Sequence, residues 1–228
     1  MGTQIKMMAI LAISAAILAS AQAQAQQFNV GLTAGLTGTN LEVSTPLNDK
    51  VTLRAVTYLT GYASKTIVVD ANSYGLEFTP KTHSLLIDVP TFGGDFYATG
   101  GLVLQEIGFK LTGKTSGGTY TFNETSYTAS SVGSISGAAG FGDIAPYLGI
   151  GWSNRNKAGS GVAFSAEAGL IILGKGSASL AVACGSALSA SQCSAMQADV
   201  TAEAAKIKTK LNGSHYYPVV KLGISYRF

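Results

Sequence analysis

Charge is scarce in this chain. Only 12% of its 228 residues are Asp, Glu, Lys or Arg, with 15 basic against 12 acidic. No basic run exists, so a nucleic-acid partner has no electrostatic footprint. His83 and His215 are the only histidines, which leaves two candidates for a base working near neutral pH. Past the N-terminal region no apolar run reaches the roughly 20 residues of a spanning helix. The most apolar segment there, GVAFSAEAGLIIL, carries Glu167 in its middle. Glycine, by contrast, is plentiful, with 28 residues. An apolar, Gly-rich chain without spanning helices fits a transmembrane β-barrel, whose signal is spread over short alternating segments.

The N-terminus supplies the compartment. Lys6 precedes an apolar run from Met7 to Leu18, and ASAQAQAQ follows. That order is a secretory signal peptide over residues 1–23, with cleavage after Ala23 or Ala25. A membrane anchor is the competing reading, disfavoured because the run is too short. Residues 24–228 then form the mature domain. In an exported chain, Cys184 and Cys193, separated by eight residues, read as a disulfide. A metal site is the rival, but two thiols without neighbouring His or Asp ligands make a poor one.

Period-two alternation recurs along the mature chain. Phe28, Val30, Leu32, Ala34 and Leu36 alternate with polar and small residues, and Leu41 and Val43 resume the pattern. After the turn PLNDK come Val51, Leu53 and Ala55. Residues 74–89 follow, where Leu76 and Phe78 have the opposite parity to Leu85, Ile87 and Val89. Pro80 between them suggests a bulge or a re-phasing point. Residues 96–111, the segment PYLGIGW, residues 162–172 and the terminal YPVVKLGISYRF complete eight strands. A soluble sandwich or lipocalin-like barrel would turn the apolar face inward and charge the outside. Here the apolar sets end in Tyr, Trp or Phe, as membrane interfaces favour. The fold class is therefore all-β: an eight-stranded antiparallel transmembrane β-barrel with an extracellular loop helix.

Two long loops, at about 113–143 and 176–215, break the alternation. The first contains YTFNETSYT, suited to a small hairpin. The second contains the cysteines and a stripe of Met196, Val200, Ala204, Ile207 and Leu211 at helical spacing. Asp199 and Glu203 lie early in that stretch and Lys206, Lys208 and Lys210 late, as a helix dipole favours. The stripe predicts a surface helix docked on the barrel rim.

Inside the barrel, strand parity turns Glu42, Arg54, Glu77, Glu167, Lys221 and Arg227 toward the lumen. Eight strands leave room only for side chains or one small ligand, so opposed charges there should pair. Glu167 and Lys221 lie midway along the last two strands and should meet. Glu42 and Arg54 flank PLNDK and should sit opposite or diagonal. Catalysis finds little support. His83 and Ser84 are strand neighbours facing opposite ways, and His215 falls at a loop junction.

The signal peptide, the segment APYLGIGW and the terminal PVVKLGISYRF together resemble the small outer-membrane β-barrel proteins of Gram-negative bacteria, of the OmpA, OmpW and opacity-protein type. The resemblance implies location in the cell outer membrane, among outer-membrane lipids and lipopolysaccharide. It implies that Tyr226 and Phe228 form the signal read by the barrel-assembly machinery. It also implies a monomer without a cofactor. For function it is weak, because such barrels include anchors, narrow channels and adhesins. The expected role is non-enzymatic, in envelope structure or surface interaction, with at most narrow passive permeability. A selective small-solute channel and a lipid-modifying enzyme are the alternatives. The His-x-Ser arrangement of the lipid A deacylase barrels is absent.

Overall fold

A computed structural model of the protein describes residues 27–61, 63–69, 72–92, 95–113, 118–128, 130–155, 159–213 and 215–228. The signal-peptide segment lies outside the described residues. In chain order the strands are β1 (Asn29–Gly35), β2 (Gly38–Asn48), β3 (Val51–Thr60), β4 (Ala63–Val69), β5 (Asn72–Pro90) and β6 (Phe96–Gly113). Next come β7 (Thr119–Phe122), β8 (Thr125–Thr128), β9 (Val132–Phe141), β10 (Ile144–Ser153), β11 (Gly161–Ile172) and β12 (Gly176–Cys184). The helix α1 (Ala190–Asn212) and β13 (Tyr216–Arg227) close the chain.

Eight of these strands form a closed antiparallel barrel in the order β1-β2-β3-β5-β6-β10-β11-β13, with β13 pairing back to β1. They correspond to the eight alternating segments. Closure leaves no free edge, and an even count returns both termini to one end. There the Phe228 amide donates to the Phe28 carbonyl at 2.9 Å, and the two rings stack with centroids 4.6 Å apart. Side chains alternate strictly. On β10, Leu148 and Ile150 are 60% and 70% exposed on the outside, while Tyr147, Gly149 and Gly151 face inward. Glycine is required at two inward sites. A Cβ on Gly151 would overlap the Tyr97 ring, and one on Gly169 would overlap Tyr147. The bare backbone lets both rings lie across the lumen.

β5 and β6 have 19 and 18 residues, about twice what a tilted membrane crossing uses. Their far halves continue beyond the barrel as the centre of a five-stranded extension, β4-β5-β6-β9-β12. This corrects the bulge or re-phasing point expected at Pro80. The β5–β6 register runs without a shift from Tyr74↔Gly113 to Pro90↔Tyr97. Pro80 instead lies between the last β3 partner, His83, and the first β4 partner, Phe78, where no strand pairs on that side. Parity never slips; the preferred side changes. Along the barrel, Leu85, Ile87 and Val89 are exposed on the outer face. Beyond it, Phe78 is on the inner face and stacks on Phe109 at 5.0 Å, while Lys81, Glu106 and Lys110 face out. The apolar outer belt therefore ends between Leu85 and Lys81.

The two long loops hold much of this extension. One contains the β7–β8 hairpin and β9, the other β12 and α1. α1 docks on the inner face of the extension rather than on the barrel rim. Met196 and Val200 pack with Tyr120, Phe122, Val132 and Ile135, against Leu180 and Val182 of β12. The helix also starts earlier than its charges suggest. Ser189 caps it, accepting from the Gln192 amide while Gln192 returns a bond to the Ser189 amide. This reciprocal box satisfies two orphan donors and leaves Asp199 in mid-helix. Cys184 and Cys193 are disulfide-bonded across the β12–α1 connection, with Cα atoms 5.8 Å apart.

Asp199 fastens the hairpin to α1. Its carboxylate accepts from the Tyr127 hydroxyl at 2.6 Å and the Asn123 side-chain amide at 3.3 Å. These bonds hold the Asp199 carboxyl below the usual carboxylate range. Burial, together with that carboxylate, pushes Tyr127 up to about 12. The depressed acid contributes stability that is present above its unfolded value and lost as pH falls through the folded one. The raised phenol contributes stability that is present below its unfolded value and lost as pH rises toward about 12. Hydrogen exchange of the β7–β8 amides should therefore be slowest between roughly pH 5 and 9 and speed up, relative to intrinsic rates, at both ends. In Tyr127→Phe the alkaline limb should vanish. A variant that keeps it would refute this account.

Candidate functional site: a closed barrel interior

Three cations and three anions meet inside the lower barrel, toward the end that holds the termini. Arg54 on β3 is 1% exposed and sits at their centre. It donates Nε and Nη2 to the two oxygens of Asp88 at 2.9 and 2.8 Å, a bidentate clamp. Its Nη1 reaches Glu42 Oε2 at 3.2 Å, and its Nη2 also reaches Glu167 Oε2 at 2.5 Å. Arg155, in the turn after β10, pairs with Glu42 Oε1 at 3.3 Å and with Asp88 Oδ2. Lys221 completes the set, with Nζ 2.8 Å from Glu167 Oε1. Two tyrosines finish the coordination of Glu167: Tyr97 donates to Oε2 at 2.9 Å and Tyr147 to Oε1 at 2.6 Å. The rings serve twice, since the Arg155 guanidinium lies 4.6 Å from the Tyr97 centroid, within cation–π range.

Strand register explains the assembly. Glu167 faces Lys221 directly across β11 and β13. Glu42 faces Val56 and Ser44 faces Arg54, so Glu42 and Arg54 are diagonal neighbours. The charges balance, three against three. That matters because an unpaired ion in a water-excluded interior costs several kcal/mol.

A second layer closes the upper barrel. Val56, Leu86, Val103, Ile107, Ala145, Tyr147, Ile171, Leu173 and Val219 form one buried apolar cluster, flanked by Phe78, Phe141 and Tyr217. The lumen is thus not a wholly polar interior, as the Gly/Ser/Thr-rich inward sets suggest. Between the layers a void of about 20 Å³ remains beside Lys221 and Asn40, room for about one water. At the end that holds the termini a vestibule of about 400 Å³ opens, with Asn29, Thr52, Asp49 and Arg155 in its wall.

Of the six charges assigned to the lumen, Glu42, Arg54, Glu167 and Lys221 lie in this network. Glu77 does not. It is exposed on the outer face of the extension, opposite Lys110, because the apolar parity around it inverts above the belt. Arg227 is inward and 8% exposed but stands apart. It donates to the carbonyls of Asn154 and Gly159 at 2.8 and 3.1 Å, bracing the β10–β11 turn. Asp88, Arg155, Tyr97 and Tyr147 complete the network without having been singled out in the sequence. Asp88 was within reach, since it alternates with the outward Ile87 and Val89. Arg155 lies in a turn, where alternation carries no direction. His83 and Ser84 occupy opposite parities of β5. Tyr226 and Phe228 are exposed at the barrel's end, their rings 4.9 Å apart. Among the described residues no His, Cys, Asp and Glu grouping is suited to a metal ion.

The class is thereby defined: among the described residues, a closed eight-stranded antiparallel barrel with a filled interior and one helix on a sheet extension. Among solved structures the chain is similar to CarO of Acinetobacter baumannii, 20% identical over 88% of this chain and 97% of that one, with a TM-score of 0.53. CarO2 of the same organism is comparable, at 19% identity over 89% and 98% of the two chains and a TM-score of 0.52. Identity this low shows the shared fold alone. No protein-family model matches the chain, and no curated relative does.

Proposed function

We propose that the protein is a non-enzymatic barrel of the outer membrane that anchors a sheet-and-helix unit on the cell surface and passes little or no solute. The observation that carries this reading is the double closure of the lumen, ions below and apolar side chains above, beneath an elaborated and disulfide-fastened exterior. The outward belt of Leu, Ile, Val and aromatic side chains matches a lipid-facing surface. The likeness to CarO supports the barrel architecture. The terminal Tyr226 and Phe228 serve as the assembly signal, and the barrel inserts as a monomer among lipopolysaccharide. A narrow small-solute path is the second reading, favoured by the vestibule that leads inward to Arg155.

Refolded protein should enter neutral lipid vesicles and migrate differently on gels before and after boiling. In planar bilayers it should show no steady conductance. A soluble, helix-dominated product would overturn the membrane reading, and steady unitary currents would favour the channel.

A further inference from the structure

We infer that the open edge of β12 is a docking site for an extended segment of another polypeptide, one with small apolar side chains at alternate positions, which pairs there as a further strand. Such a partner presupposes that the extension stands on the cell surface, as proposed above. β12 ends the row β4-β5-β6-β9-β12. The Gly176 amide donates to Asn212 Oδ1 at 2.8 Å, on the side away from β9. On the other parity, the Ser177 and Ser179 hydroxyls donate to the carbonyls of their β9 partners, Gly140 and Ala138, at 3.3 and 3.4 Å. Those carbonyls are therefore turned toward β12. Hydrogen-bonding direction alternates along an antiparallel strand, so Ala178, Leu180 and Val182 share the orientation of Gly176. Each presents an N–H and a C=O away from β9. Among the described residues no backbone bond beyond the strand ladders engages them.

An edge of this kind is a template for another chain, and proteins commonly blunt it with Lys, Pro or a covering element. β12 reads GSASLAVAC, with no charge and no proline. α1 runs beside it and is fastened at both ends, by the Gly176–Asn212 bond and by the Cys184–Cys193 disulfide. Between the fastenings a groove of about 210 Å³ stays open, with Leu180, Ala181 and Val182 on one wall and Gln197, Val200 and Thr201 on the other.

The groove selects its occupant. Free backbone groups at every second residue are matched by another extended backbone. Leu180 and Val182 turn their side chains to the inner face, toward α1. Directly opposed residues of a ladder share a face, so the partner residues that bond to this edge also point into the groove. Its walls carry no ion, and a charged side chain entering it would shed water without gaining a counterion. A second copy of this chain fits poorly. β12 belongs to the sheet that prolongs β5 and β6, so it runs along the barrel axis, and barrels in one membrane point the same way. Two β12 strands would then be barred from antiparallel pairing, the more stable arrangement.

The test uses the refolded full chain in detergent micelles and the labelled peptide acetyl-KVKVKVK-amide, followed by fluorescence polarisation. Its valines should enter the groove and its lysines face water. Methyl groups on the valine nitrogens should therefore weaken binding by roughly tenfold or more, because those N–H groups meet β12. Methyl groups on the lysine nitrogens should leave it unchanged. Ala178→Pro removes an outward donor that the β9 ladder does not use, and it should also weaken binding; its fold is checked by the shift in migration on boiling. Absence of binding by the unmethylated peptide would overturn the docking site, as would equal affinities for the two methylated forms. A parent dimer that Ala178→Pro abolishes would overturn it as well, since a second copy would then fill the edge. Micelles require no insertion into vesicles, so a failure of peptide binding and a failure of the membrane reading are distinguishable.

Discussion

Arg54→Met should be among the most destabilising single substitutions in the barrel, lowering stability by roughly 3–5 kcal/mol in urea unfolding. The side chain is 1% exposed, and its guanidinium touches Asp88, Glu42 and Glu167 together. Methionine fills much of the space but supplies no donor. Three carboxylates are left with two cations, Arg155 and Lys221, for a net buried charge of minus one. Above the network the structure leaves little more than one water's volume, so compensating water can come only from the vestibule beside Arg155. Adding Asp88→Asn restores the balance, with two cations against Glu42 and Glu167, so the double variant should regain part of the loss. A contrast sets the scale. Lys81 and Glu106 are about half exposed and 3.9 Å apart, so Lys81→Met should change stability by about 0–1 kcal/mol. If Arg54→Met unfolds with Lys81→Met, the interior ions are hydrated and the network is not structural.

How far this interior was legible in the sequence depends on where each residue lies. Within the belt, lipid on one side and a crowded lumen on the other impose period-two contrast. Glu42, Arg54, Glu167 and Lys221 were therefore assignable by counting. Above the belt the outside is water, so apolar residues move to the inner face without any change of register. Reading Phe78 as outward misplaced Glu77 and put a bulge or re-phasing point at Pro80. The apolar plug was hidden for a related reason. Leu86, Val103 and Ile171 sit among outward apolar neighbours, so those stretches look apolar throughout rather than alternating. Arg155 reaches the network from a turn, and no periodic signal marks such a residue. The helix was visible through its stripe, but its start was not. Ser189 and Gln192 define a cap whose residues also suit a loop.

Conduction should require the loss of both closing layers, because two barriers in series leave a pore shut while either stands. Lys221→Met removes one cation, yet Glu167 stays bound to Arg54, Tyr97 and Tyr147. Above it Leu86 and Ile171 remain 1% and 2% exposed in the apolar cluster. That variant should lose stability and still carry no steady current. Leu86→Ala with Ile171→Ala opens space in the upper layer, at about 2–5 kcal/mol for each truncation. It leaves the ion layer in place and should also stay closed. Adding Lys221→Met and Glu167→Gln to the two truncations removes the upper filling and one ion pair without stranding a charge. This fourfold variant should conduct at least about tenfold above the parent, as hydrophobic constrictions do once they can wet. Each variant's fold is checked by its shift in migration on boiling. Current through Lys221→Met alone would make the ion layer the sole gate and remove the plug from the account. A folded fourfold variant that stays silent would place the closure elsewhere, in the α1 and hairpin layer that lies over the extension's inner face.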